Sequence, residues 1–270
     1  MTKILALSGK KQSGKNTLCN FIHGYQLKSY NLIDAFEIAD TGDIVVETSV
    51  REENGKISKG KGKVDVTRLD IEFAVWAMDN IWPFVKHYAF ATALKEMAIG
   101  LFNVSRESVY GTDAQKNLPI QFNWEDMPTK CKGKSGPMSG REFMQYFGTD
   151  LCRKIYPDIW TDRTIKDIVA EESNLAIISD ARFENEVKAV QNAGGKVIRL
   201  TRSIDEDFHP SESALDSYES FDAIIDNKNM TIEESCHELI KILDSWGWFD
   251  SKTVTPQEKP PKKQTTTTIK

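Results

Sequence analysis

Nine residues, Gly9-Lys10-Lys11-Gln12-Ser13-Gly14-Lys15-Asn16-Thr17, constrain this chain more than any other stretch. Before them, Lys3-Ile4-Leu5-Ala6-Leu7-Ser8 is a short apolar run that reads as a buried strand. After them, Leu18, Phe21, Ile22 and Tyr25 recur at helical spacing. Strand, glycine-rich turn and helix form the setting in which G-x-x-x-x-G-K becomes a phosphate cradle rather than a chance match. Gly9 and Gly14 let the backbone curl so that successive N–H groups point inward. The opening helix adds its positive dipole end, and Lys15 adds a full charge within reach of β- and γ-phosphates. Glycine-rich turns of this kind also occur without ligands, but a strand in front and a lysine in register favour nucleotide binding.

The usual motif places Ser or Thr directly after the lysine as a Mg²⁺ ligand. Here Asn16 stands there and Thr17 follows. A Gly-Lys-x-Thr ending resembles the nucleoside monophosphate kinase branch of P-loop proteins, which implies a metal held largely by phosphates and water. The carbonyl oxygen of Asn16 keeps direct coordination open.

A chain of 270 residues with 40% hydrophobic content can bury one sizeable core, with room for an insertion. Net charge is −5, which argues against a nucleic-acid-binding surface but permits a local basic pocket. Cys19, Cys131, Cys152 and Cys236 lack metal-ligand spacing, and neither a signal peptide nor a twenty-residue apolar span is present. They read as reduced thiols in a cytoplasmic protein with no membrane partner. The Pro-, Lys- and Thr-rich tail, residues 251–270, lacks apolar residues for docking and is expected to be disordered.

Between 26 and 83 an insertion is expected. Asp43 to Arg51 alternates, Asn54-Gly55 supplies a tight turn, and Lys63 to Arg68 alternates again, with a Gly/Lys-rich stretch from Lys59 to Lys63 loosening the returning arm. This β-hairpin reads equally as a surface excursion or as a flap over substrate. Phe84 to Ala89 predicts a second core strand and Thr92 to Leu101 a helix, whereas Tyr110 to Gly136 has no strong period and reads as loops. Ser139 and Glu142 form a capping-box pattern opening a helix to about Arg153. A further helix is expected over Trp160 to Glu172. Leu175 to Ser179, Lys196 to Thr201 and Phe221 to Asp226 read as strands. Glu184 to Ala193 is predicted helical up to Gly194-Gly195, and Thr231 caps a last helix through about Trp246. Five short apolar strands alternating with helices predict an α/β domain over 1–250, a parallel sheet covered on both faces.

In such sheets ligands sit beyond the carboxyl ends of the strands. Asp180 ends the third strand, where it suits a Mg²⁺-bound water, a substrate group or the cap of the next helix. Arg182 suits a phosphate gripped by two parallel hydrogen bonds, the competing reading being an ion pair with Glu184 or Glu186.

The chain also resembles the bacteriophage deoxynucleoside monophosphate kinases. The likeness is carried by Ser8 through Thr17, Tyr88-Ala89-Phe90-Ala91 with Leu94-Lys95, and Arg141 through Gln145-Tyr146-Phe147-Gly148-Thr149-Asp150. Trp160, Ser179-Asp180-Ala181-Arg182 with Glu186, Val197 through Arg202, and Asp207-Phe208-His209-Pro210-Ser211-Glu212 extend it. It covers residues 1–25 and about 84–245, and no role carries over to the insertion. The resemblance implies a P-loop kinase fold with a lid over 203–220. ATP would be held by Gly9, Ser13, Gly14, Lys15, Asn16 and Thr17, with Arg202 also on the donor side. Lys11, Leu94, Lys95, Arg141, Gly148, Thr149, Trp160, Asp180, Arg182 and Glu186 would face the acceptor. Catalysis would rest on Lys15, Arg141, Arg182 and Asp180, and Asn16 and Asp180 would attend Mg²⁺. Trp160 reads alternatively as core packing. His209 and Glu212 would belong to the lid.

A monophosphate acceptor already presents an anionic oxygen, so no base is required. Positioning and charge neutralisation then supply the catalysis. Two rivals remain open: a kinase for another small acceptor such as dephospho-coenzyme A, with Asp180 as base, and a nucleotide-dependent switch signalling through the hairpin. The expected partners are small-molecule nucleotides, and the sequence leaves a homodimer open.

Overall fold

The computed structural model describes residues 2–51, 55–68, 70–129, 133–203 and 213–249. The chain opens with β1 (Lys3–Ser8) and α1 (Lys15–Ser29), followed by β2 (Ala35–Ile38), β3 (Ile44–Arg51) and β4 (Ile57–Val64). Then come α2 (Ile71–Asn80), β5 (Lys86–Tyr88), α3 (Ala91–Phe102), α4 (Arg106–Tyr110), α5 (Asp113–Lys116) and β6 (Pro119–Asn123). β7 (Pro137–Ser139) leads into α6 (Gly140–Gln145), a π-helical segment (Tyr146–Cys152) and α7 (Arg153–Ile155). The chain closes with α8 (Ile159–Glu171), β8 (Leu175–Ala181), α9 (Glu184–Asn192), β9 (Lys196–Leu200), β10 (Ala223–Ile225) and the helix Ile232–Ser245, here α10.

The five core strands are all parallel, in the order β10-β9-β1-β8-β5. Alternation along each strand feeds two cores, which is why these runs are apolar without interruption. Ile4 and Ala6 of β1, with Ala176 and Ile178 of β8, join Phe90, Leu94, Phe143, Tyr146 and Trp160 on one face. Leu5, Leu7, Leu175 and Ile177 point to the other face, against Leu18, Ile22, Leu239 and Leu243 of α1 and α10. β1 is flanked by β8 and β9, so the loop after Ser8 emerges where the chain's crossovers diverge, the usual ligand crevice of an open parallel sheet.

Several local expectations hold for the stated reasons. The capping boxes of Ser139 with Glu142 and of Thr231 with Glu234 both form. Gly194 ends α9 at φ +79°, and Gly195 passes so close to Ile4 that a Cβ would lie 2.7 Å from its carbonyl oxygen.

The insertion differs from its expectation. Its returning arm is β4, not Lys63 to Arg68, and the Gly/Lys stretch is a regular strand paired residue by residue with β3. Lys61 bridges Glu37 and Glu47, and Lys63 pairs with Asp43. The alternating lysines were the strand signal, masked by the low β propensity of their glycine neighbours. β2 adds a third strand, and the sheet docks on α1: a Cβ at Gly24 would meet the Phe36 ring at 2.3 Å. α2, capped by Asp70, was also unforeseen, as was β6, which lies within the region read as loops and pairs with β7 just beyond it. Asn54, Cys131, residues 204–212 of the expected lid with His209 and Glu212, and the 251–270 tail lie outside the described residues. No helix among the described residues is long and apolar enough to cross a membrane.

Two histidines lie between α1 and the sheet edge, His23 buried and His87 half-buried. His23 bonds the Cys19 carbonyl through Nδ1 at 3.0 Å, and His87 meets Ser179 Oγ at 2.7 Å. Burial pushes their pKa values down to about 3 and about 4, aided at His87 by the charge of Lys95. Both are neutral when folded and protonate near pH 6.5 when unfolded. Below that pH the unfolded chain therefore binds more protons, and stability falls with pH until the folded values are reached. Each should contribute about 1.4 kcal/mol per pH unit between roughly pH 6 and 4. Urea unfolding from pH 7 to 4.5 measures the slope, which should flatten in His23→Gln.

Candidate active site

The Gly9-to-Thr17 loop wraps around the ammonium of its own lysine. Lys15 Nζ donates to the carbonyls of Gly9 and Lys10, both at 2.7 Å, and lies 3.3 Å from Ser13 Oγ. The turn requires positive φ at Gln12 (58°) and Gly14 (96°), and Gly14 stands at the N-terminus of α1. At Gly9 a Cβ would lie 2.4 Å from Ser13 Oγ. Burial, with the nearby charges of Arg182 and Arg199 partly offset by Asp180, lowers the Lys15 pKa to about 7. An incoming phosphate reverses that balance by restoring a counter-charge.

The loop is braced from outside by a residue that the sequence reading missed. Asn227, just past β10, is 2% exposed; its amide donates to Ser13 O at 2.8 Å and its Oδ1 accepts from Arg202 N at 2.9 Å. The signal was available, because Asn227 stands at the end of a strand much as Asp180 does. Arg202 itself is spent on the backbone carbonyls of Asn227 and Met230 and does not line the cleft.

A cleft of about 1390 Å³ runs from Lys11 to Thr17 past Lys95, Asp113, Lys116, Arg141, Trp160, Asp180 and Arg182. A smaller recess of about 280 Å³ adjoins it, lined by Leu94, Gly148, Thr149, Arg153, Trp160, Asp180, Arg182 and Glu186 among others. Of the predicted residues, the structure thus gathers Lys11, Ser13, Gly14, Lys15, Asn16, Thr17, Leu94, Lys95, Arg141, Gly148, Thr149, Trp160, Asp180, Arg182 and Glu186 around one connected space. The chain leaving β4 of the insertion, Val66 to Arg68, also walls the cleft, while Gly42 covers Thr17 closely enough that a Cβ would meet its Oγ1 at 2.4 Å. The insertion is therefore a docked sheet whose exit borders the site.

Asp180 caps a helix, but not the next one in sequence. Its oxygens accept from Phe90 N (2.8 Å) and Ala91 N (3.0 Å), the opening of α3. This fixes α3, and with it Lys95, whose charge is disfavoured by burial and which lies 4.5 Å from the Tyr110 ring centroid. Glu186 is buried, accepting from the backbone N–H groups of Arg182 (2.6 Å) and Phe183 (3.1 Å) and pairing with Arg153. Burial raises its pKa to about 7 against the pull of Arg153, so near neutrality it can donate as well as accept a hydrogen bond. Trp160 is 3% exposed and donates its indole N–H to Gly148 O at 3.2 Å. Gly148 sits in the π-helical segment, where a Cβ would strike Leu94 at 2.5 Å.

Metal-binding capacity is sparse. No group of three or more His, Cys, Asp or Glu side chains forms a metal site among the described residues. Each Asp180 oxygen keeps a further lone pair, and Asn16 is exposed in the first turn of α1. So poor a donor set fits Mg²⁺, which keeps waters and substrate phosphates in its shell.

A phosphate loop at the carboxyl end of a central parallel strand, facing a wall of lysine and arginine, defines a P-loop kinase. A sequence model of the deoxynucleotide monophosphate kinase family matches residues 3–238. A protein of Acanthamoeba polyphaga mimivirus with the provisional name deoxynucleotide monophosphate kinase is 32% identical over 171 residues, 58% of this chain and 82% of that protein. The chain belongs to the deoxynucleotide monophosphate kinase family, whose reaction is the phosphorylation of deoxynucleoside monophosphates.

Asn227→Ala should unpin the loop, leaving Ser13 O and Arg202 N without their side-chain partner. Losing such buried bonds costs about 1–3 kcal/mol, and affinity for a non-hydrolysable ATP analogue, measured by calorimetry, should fall by roughly tenfold.

Proposed function

We propose that this kinase takes the γ-phosphoryl group of ATP and transfers it to a deoxynucleoside monophosphate, supplying diphosphates as precursors of DNA. The carrying observation is that the phosphate loop and the cations Lys11, Lys95, Arg141 and Arg182 line one cleft that continues into a recess suited to a base. In this reading Gly9, Ser13, Gly14, Lys15, Asn16 and Thr17 hold the donor phosphates through the loop's N–H groups and the Lys15 charge. Lys11, Lys95, Arg141 and Arg182 offset the repulsion between two polyanions and hold the acceptor phosphate in line. Gly148, Thr149, Leu94 and Trp160 shape the recess, where the Glu186 carboxyl reads a base edge. Arg202 acts through Asn227 on the donor side. Asp180, through water, and Asn16, through its carbonyl oxygen, would hold Mg²⁺, which would supply charge neutralisation at the donor phosphates.

ADP release, coupled to a reporter and measured across deoxy- and ribonucleoside monophosphates, tests the reading; ATP turnover indifferent to every such acceptor would overturn it. Lys15→Ala should lower turnover by roughly 10²-fold or more, the loss typical of a strong electrostatic stabiliser. Arg141→Ala and Arg182→Ala should raise the acceptor KM while leaving ATP-analogue affinity nearly intact. A collapse of ATP affinity in both would mean that the donor and acceptor sides are reversed.

Asp180 should matter more to the metal than Asn16, since a carboxylate is a better partner for a hard cation than an amide. Mg²⁺ titrations at saturating acceptor should partly restore Asn16→Ala and fail to restore Asp180→Ala. The opposite pattern would make Asn16 the direct ligand.

A further inference from the structure

Asp113 is an acidic residue at the centre of the cationic wall. It opens α5 beneath the capping box of Thr112 and Gln115, and its carboxylate bridges two cations from separate elements. Oδ1 accepts from Arg141 Nη2 at 2.7 Å, and Oδ2 lies 2.8 Å from Lys11 Nζ. Arg141 is held at the other end of α5 as well, through Nε to Asn117 Oδ1 at 3.0 Å. The Lys11 hydrogen bond and the Arg141 charge hold the Asp113 carboxyl below the usual carboxylate range. One anion thus engages two of the four cations assigned to the acceptor phosphate, one oxygen to each.

We infer that Asp113 is a displaceable counter-ion that occupies the acceptor-phosphate position between Lys11 and Arg141 in the empty enzyme. This rests on the acceptor role proposed for those two cations. The side chain is half exposed, so it can leave toward solvent without breaking the α5 cap, which belongs to Thr112 and Gln115. Its presence keeps two like charges close together, in the absence of substrate, at a spacing that a phosphate can use. It also sets a threshold for entry. Inorganic phosphate has to compete for the cations with nothing else in its favour, whereas a nucleotide gains contacts in the adjoining recess. The same cost falls on both, so Asp113 leaves their ratio unchanged while weakening bare phosphate, which has no other contacts to hold it.

The experiment compares Asp113→Asn with the wild-type kinase at saturating ATP. Both the KM for the best of the common deoxynucleoside monophosphates and the Ki of inorganic phosphate should fall by about 3- to 10-fold, a modest range because the bridge is partly exposed. The KM for ATP should move less than about twofold by the same reasoning. An unchanged or raised acceptor KM, with Ki likewise unmoved or raised, would overturn the proposal, a rise marking Asp113 as a group that holds the cations in place. Asp113→Ser, which also retains Thr112, should shift both constants the same way and guards against a folding defect in one variant. Arg141→Ala separates the two levels. If it leaves the acceptor KM unchanged, the acceptor assignment fails. If it raises KM while Asp113→Asn lowers neither constant, only the counter-ion role fails.

Discussion

A buried ammonium must find oxygens, and in this enzyme the nearest belong to its own loop. The bonds from Lys15 to the carbonyls of Gly9 and Lys10 close the phosphate loop on itself before any ligand arrives. The rest of the site depends on that closure. β1 is pinned between β8 and β9, so the loop emerges beside Asp180, and Asp180 in turn fixes the start of α3. Asn227 fastens the loop from the β10 side. Few side chains therefore locate this loop, and all of them stand at or just beyond the carboxyl ends of parallel strands.

The acceptor half is built differently. The cations proposed for it come from α3, α6, the chain after β8 and, in Lys11, the phosphate loop, and together they form an open wall of the cleft. Clustered cations repel one another, and that repulsion has to be offset. Internal anions do this: Asp180 beside Lys15 and Lys95, Glu186 against Arg153, and Asp113 between Lys11 and Arg141.

Much of this was legible in the sequence because the signals were local. The apolar runs of β1, β8 and β9, the loop with Lys15 in register, and the Ser139 and Thr231 capping boxes each depend on residues close in the chain. What escaped notice depended on distance or on dilution. Asn227 meets Ser13 across 214 positions. Asp180 resembles a cap for the helix that follows it, yet serves α3, some ninety positions earlier. β4 hides its alternation among glycines and lysines, and pairs because Glu37, Glu47 and Asp43 await those lysines across the sheet.

The π-helical segment between Tyr146 and Cys152 has a consequence of its own. A wide turn holds one residue more than an α-helical path of the same rise, and each residue of an α-helix advances the side chains by about 100°. The wide turn absorbs its extra residue, and Gly148 and Thr149, within it, line the same recess as Arg153, directly after it. A chain shorter by one residue here would keep its helix and its packing stripe up to Gln145. It would replace the wide turn by an α-helical one and shift the Gly148 carbonyl that accepts the Trp160 indole N–H. In this stretch, chain length counts for as much as residue identity, and a single-residue deletion would do what no conservative replacement could.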